Sequence, residues 1–307
     1  MKNLLKLSVA VATVLMAGNA MATQNKSIVD SKHNLGSTSV ASPTNQRNKT
    51  DATTEVCVFC HTPHGGVAKS GGETVAPLWN KTLPSSATFS TYSTLGTATL
   101  QGTVKSVGSV SIACLSCHDG SQAMDVMINQ PGSGNYKADR GALEGLGGTW
   151  TQYGTNINTT TGQMETTNPV PGLGTDLTND HPIGIQYAGG LITGKTNADR
   201  GNSSAYKNQD FRGLTSTTIN GNTVWYVAVG ATNDTTGLTN QVAGSDITPV
   251  SGIRNKTDMA LYTRTEGGVD QPFVECASCH DPHQADTATF LRIDNRGSAV
   301  CLACHVK

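Results

Sequence analysis

The sequence predicts a chain with little regular secondary structure: short helices at four cysteine motifs, some β-strand in one long insertion, and a core completed by bound groups. Three observations predict it. Aromatic residues make up only 5% of the chain, and 34 of its 307 residues are glycine, about 11% against a usual ~7%. Turns are therefore many, and large side chains to bury are few. The eight cysteines fall in four short motifs. One segment, Thr223-Val-Trp-Tyr-Val-Ala-Val229, reads as a strand because β-branched and aromatic residues follow an Asn-Gly turn.

The amino terminus reads as an export signal over residues 1–22. Lys2 and Lys6 precede an apolar run from Leu7 to Ala17, and Ala20-Met21-Ala22 supplies the small-x-small cleavage pattern. The apolar run is shorter than the ~20 residues a bilayer span needs, and no later stretch qualifies. No cysteine lies near the cleavage point to carry a lipid. A secreted chain starting at Thr23, without a membrane span, is expected. The formal net charge is −1 and there is no basic stretch, which argues against a nucleic-acid partner.

Export would ordinarily suggest disulfides, but the placement of the cysteines says otherwise. They form Cys57-Val-Phe-Cys60-His61, Cys114-Leu-Ser-Cys117-His118, Cys276-Ala-Ser-Cys279-His280 and Cys301-Leu-Ala-Cys304-His305, with none left over. Residues three and four apart share one face of a helical turn. Two thiols at that spacing can form thioethers with the two vinyl groups on one porphyrin edge, and the next histidine reaches the iron as proximal ligand. Zinc is often held by paired C-x-x-C motifs. Neither zinc nor four disulfides explains a histidine after every second cysteine. The fold class that follows is a multihaem cytochrome c with four covalent haem c groups forming the core.

Four histidines are proximal by motif: His61, His118, His280 and His305. Four remain, His33, His64, His181 and His283, one for the far side of each iron, so bis-histidine coordination is expected throughout. The mature methionines Met124, Met127, Met164 and Met259 share no recurring context and read as packing residues. His64 and His283 end the same phrase, H-x-P-H, in which proline turns the chain out of the attachment helix. Three residues reach at most ~10 Å, too short to circle a porphyrin rim, so each should ligate a haem other than its own.

The other two histidines also echo each other: His33-Asn34-Leu35-Gly36 against His181-Pro182-Ile183-Gly184. The order H-x-[LI]-G, C-x-x-C-H-x-P-H, C-x-x-C-H thus occurs twice. The chain divides into a first dihaem unit (23–125), a Gly/Thr/Asn-rich linker (126–180) and a second dihaem unit (181–307) with an insertion at about 186–272. Taking the next motif as the default, His64 serves the haem on Cys114 and Cys117, and His283 that on Cys301 and Cys304. By repeat symmetry His33 serves the haem on Cys57 and Cys60, and His181 that on Cys276 and Cys279. His33 sits on a polar arm near the mature terminus, where chains are usually mobile. It is therefore also the first candidate to ligate an iron in a neighbouring chain.

These phrases resemble the doubled C-x-x-C-H multihaem cytochromes. The match covers Ser31–Asn34, Cys57–Gly65, Pro77-Leu-Trp-Asn80, Cys114–Gly120, Asn179–Pro182, Cys276–His283 and Cys301–His305. Four motifs with an export signal are most similar to the OmcE-type extracellular tetrahaem cytochromes. That resemblance implies bis-histidine haems, extracellular electron transfer and homopolymeric filaments. The expected function is electron transfer at the cell surface or outside it, with other redox proteins or extracellular acceptors as partners. A monomeric periplasmic shuttle would share every ligand. An oxyanion reductase would need an open iron, which the matched histidine count argues against, so the chain is read as not an enzyme.

Overall fold

The computed structural model describes residues 27–39, 47–132, 145–167, 171–180, 182–229, 254, 256–284 and 287–306. Residues 1–22, where an export signal was expected, His181 and part of the insertion lie outside them. Three β-hairpins organise the described chain. They pair β2 (Val67–Ser70) with β3 (Glu73–Trp79), β6 (Thr215–Ile219) with β7 (Asn222–Val227), and β8 (Met259–Glu266) with β9 (Val269–Val274). Each turns on two residues at positive φ: Gly71-Gly72, Asn220-Gly221 and Gly267-Gly268. That is the requirement of the tight turn whose twist matches the flanking strands.

β5 (Ile185–Gln186) pairs with β9 and completes a five-stranded antiparallel sheet in the order β5-β9-β8-β7-β6. Register is set by pairs such as Trp225 with Leu261 and Tyr262 with Phe273. Along β7 Trp225, Tyr226 and Val227 are buried in succession, and along β8 Met259, Ala260 and Leu261. Consecutive burial means both faces are covered there, since alternate side chains point to opposite faces. The insertion, from which one strand was expected, thus carries most of a sheet.

The α-helices described all carry motif cysteines: α1 (Ser109–His118), α2 (Cys276–Cys279) and α3 (Ala299–Cys304). The first motif is a single 3₁₀ turn, Cys57–Phe59. Around them lie four separate clusters of buried side chains, each packed against one or two motif cysteines: Cys60, Cys117, Cys276, and Cys279 with Cys304. A domain usually builds one contiguous core; here the side chains build four small ones. Met124, Met127, Met164 and Met259 are all buried in these clusters.

The described residues of the stretch 126–180 fold onto the first unit. β4 (Trp150–Thr151) pairs with β1 (Lys49–Thr50), Met127 packs with Val58 and Phe59, and the Ile128 N–H donates to Asn80 O at 2.9 Å. Its glycines and threonines hid this, because the anchoring apolar residues are few and widely spaced.

One buried guanidinium joins the units. Arg264, 4% exposed, donates from Nε to Glu73 at 2.8 Å, from Nη1 to Glu275 at 3.2 Å and from Nη2 to Ser106 O at 3.0 Å. Ser111 of α1 donates to Glu275 at 2.6 Å and accepts from the Cys276 N–H at 3.0 Å. This clamp sets α1 against α2, and so the second motif against the third.

Candidate haem centres

At each motif the chain closes one helical turn and then leaves it. The His61 N–H donates to Cys57 O at 2.8 Å, that of His280 to Cys276 O at 3.1 Å and that of His305 to Cys301 O at 3.0 Å. His280 and His305 then adopt extended conformation. All three form single β-bridges, to Trp79, Leu291 and Phe211. The second motif differs. His118 ends a ten-residue helix, and Gly120 follows at φ 72° with Met164 O only 2.7 Å from where a Cβ would stand, the left-handed stop that glycine supplies.

The proximal rings are oriented from behind. Nδ1 lies 2.7 Å from Pro77 O at His61, 2.8 Å from Pro171 O at His118 and 2.7 Å from Thr289 O at His280. An Nδ1–H donated to a carbonyl leaves Nε2 as the free lone pair, the tautomer a metal needs.

Two spare histidines are brought opposite proximal ones. The ring centroids of His33 and His118 are 6.3 Å apart at an interplanar angle of 76°. Those of His61 and His283 are 6.1 Å apart at 17°. Imidazole nitrogens bind a first-row metal at about 2 Å, so two rings on opposite faces of one iron hold their centroids roughly 6 Å apart. The spacing fits an iron between each pair.

This arrangement differs from the expected ligand map. His33 faces the second motif rather than the first, and His283 faces the first rather than the fourth. The reason is the clamp at Arg264: it stacks the units so closely that the H-x-P-H turn of the second unit reaches the first. His33 is not on a loose arm. Arg47 donates to Val29 O and Asp30 O, and buried Asn34 donates to Val29 O at 2.9 Å. Its ring stacks on Phe290 at 4.2 Å and bonds to Pro282 O. Desolvation, then the neighbouring His118, lowers its pKa to about 4, which keeps the imidazole neutral. Those contacts hold the His33 ring beside His118 of its own chain.

His283 is steadied by Asp281, whose carboxylate accepts the His283 N–H at 3.0 Å and lies 3.6 Å from its Nδ1. The His283 ring is the largest cause holding the Asp281 carboxyl down to about 2, with burial working against it. His64 is exposed like His283, but its backbone carbonyl is bonded by Thr62 and Asn129, and among the described residues its ring meets no proximal histidine.

The motif cysteines stand in series. Desolvation and the neighbouring Cys117 push the Cys60 thiol up to about 12. Cys114 and Cys276 lie within hydrogen-bonding reach of each other, which raises the first and lowers the second. Cys279 neighbours Cys301, and Cys304, pushed up to about 12 chiefly by desolvation, neighbours Cys279.

Several supporting residues were not legible as such. Pro77, Trp79 and Asn80 formed a phrase without an assigned role. Pro77 holds His61, Trp79 packs edge-on to it at 5.8 Å, and Asn80 donates to Val58 O at 2.7 Å and Asn129 O at 2.8 Å. Phe290 and Phe211 pack on His33 and His305. The phrase was visible; its target was not, because the contacts cross the chain.

Thiols three apart, a following imidazole tautomerised by a carbonyl, and an opposed imidazole at iron spacing define a c-type cytochrome site. Residues 271–307, which hold the third and fourth motifs, match a family model described as "Doubled CXXCH motif". No curated protein matches the chain. The matched motifs are those of multihaem c-type cytochromes and mark covalently bound haem c.

Proposed function

We propose that the chain is an electron conduit of four bis-histidine haems, secreted and polymerised into an extracellular filament. The observation that carries this reading is the series of neighbouring thiols, Cys60 to Cys117, Cys114 to Cys276, Cys279 to Cys301 and Cys304. Groups attached at those positions would follow one another from the first motif to the fourth. Bound haem c supplies reversible one-electron iron chemistry. The chain's residues do the rest: they hold each porphyrin edge and orient each imidazole. With both faces ligated there is no position for a substrate, so the partners are other redox proteins and extracellular acceptors.

Repeat symmetry extends the reading to assembly. His33 faces the second motif of its own unit, so its counterpart His181 serves the fourth motif, at His305. His283 reaches back from the second unit to the first motif of the unit before it. The counterpart of His283 is His64, and the unit before the first one is the second unit of another copy. His64 therefore ligates the haem at His280 of the partner subunit. Such a head-to-tail contact generates an open filament when its rotation does not close.

A pyridine haemochrome assay should give four haems per mature chain, with low-spin spectra in both oxidation states. Negative-stain microscopy should show filaments for the wild type and haem-loaded monomers for His64→Ala. Wild-type monomers with every iron bis-histidine would replace the filament with a monomeric periplasmic shuttle. Filaments unaffected by His64→Ala would overturn the assigned joint.

A further inference from the structure

Lys81 is 0% exposed, and its ammonium donates to Ala123 O at 3.2 Å, Met124 O at 3.1 Å and Val126 O at 2.7 Å. A lysine has three donors and no acceptor, so three carbonyls satisfy it and fix it in place. Among the described residues no carboxylate forms an ion pair with it. A buried cation without a paired anion is costly, and three carbonyls offset only its hydrogen bonding.

Its position is between the first two motifs. It follows Asn80, which is bonded to the first motif at Val58 O, and it reaches the segment just beyond the second. Its charge favours the thiolate at both Cys60 and Cys117, against the desolvation that dominates at each, and it lies within hydrogen-bonding reach of Cys117. The opposing charge is Asp119, 5% exposed and held by the Ser121 N–H and hydroxyl at 2.8 Å each. Asp119 acts on Cys117 and lies beside His118, so it offsets Lys81 at the second motif. The second unit has a similar device with a different outcome. Arg292 donates twice to Ala277 O, at 3.1 and 2.9 Å, but its guanidinium also lies 3.6 Å from the Asp281 carboxylate.

We infer that Lys81 is a redox-tuning residue, a fixed cation that raises the reduction potential of the haem on Cys57 and Cys60 and, less strongly, that of the haem on Cys114 and Cys117. Adding an electron to an iron site makes it more negative, and a nearby positive charge in a low-dielectric interior stabilises that state. Burial shields the effect from salt.

The inference rests on reading both motifs as haem sites, which the wild-type haem count tests separately. Spectropotentiometric titration of holo Lys81→Met should show the upper end of the four-haem curve moved to more negative potential, at low and high salt alike, with the lower end unchanged. Lys81→Arg should restore the wild-type curve, and Asp119→Asn should move one component upward. Lys81→Gln serves if the methionine variant does not mature. Fully haem-loaded charge-free variants with an unchanged or raised curve overturn the inference. So does failure of both to retain haem, which would make the role of Lys81 structural.

Discussion

His61-Thr62-Pro63-His64 in the first unit and His280-Asp281-Pro282-His283 in the second are the same phrase with one interior residue changed. In the second unit Asp281 steadies the final ring, which lies 6.1 Å from His61 across the unit boundary. In the first, Thr62 bonds only the backbone of His64, and among the described residues no proximal histidine faces its ring. The phrase therefore specifies that a histidine leaves its own haem, while neighbouring packing specifies where it goes. Within one chain only the second unit has a predecessor.

The largest effect should come from separating the units. Arg264→Ala leaves Glu275 and Glu73 without their cation, and breaking a buried pair this way typically costs about 3–5 kcal/mol. Denaturant unfolding should show that loss. A change within error would mean that the clamp does not set the arrangement. Asn80→Ala strands Val58 O and the Asn129 backbone inside the first unit, at about 1–3 kcal/mol, read from the same unfolding curves.

Ligand exchange sharpens the contrast. In monomeric protein, His283→Met should raise one potential, because methionine–histidine ligation favours higher potentials than bis-histidine. His64→Met should leave the monomer's spectrum unaltered. A His64→Met change in isolated monomers would put that ring on an iron of its own chain and break the comparison.

A separate effect concerns pH. Desolvation, opposed by Ser111 and Arg264, pushes the Glu275 carboxyl from an ordinary 4.5 up to about 7. The folded chain then binds this proton more tightly than the unfolded chain does. The group's contribution to stability falls as pH rises from about 4.5 to 7 and is level above. Glu275→Gln should flatten that part of the stability–pH profile while keeping an acceptor for Arg264. An unchanged slope would assign it to other groups.

The legible parts of the site are those written in short stretches of chain. Cys57, Cys60 and His61 lie within one turn, and a helical turn has one geometry, so their joint role follows from spacing alone. The same holds for Asn220-Gly221, whose positive φ values fold β6 onto β7. Trp150, Met127 and Met164 sit alone among glycines and threonines, and a periodicity needs more members than that. Their two clusters, and with them the attachment of 126–180 to the first unit, could not be read.

What the sequence by itself determined is the local pattern: which cysteines stand at attachment spacing, which histidine follows each, and which histidines are left over. What only the tertiary structure decided is the pairing of His33 with His118 and of His283 with His61. Those rings are far apart in the chain and about 6 Å apart in space. Covalent connectivity constrains a turn of five residues tightly and a separation of many tens of residues hardly at all. Over such distances the buried Arg264 clamp and the packing around α1 and α2 choose among partners that the sequence leaves equivalent.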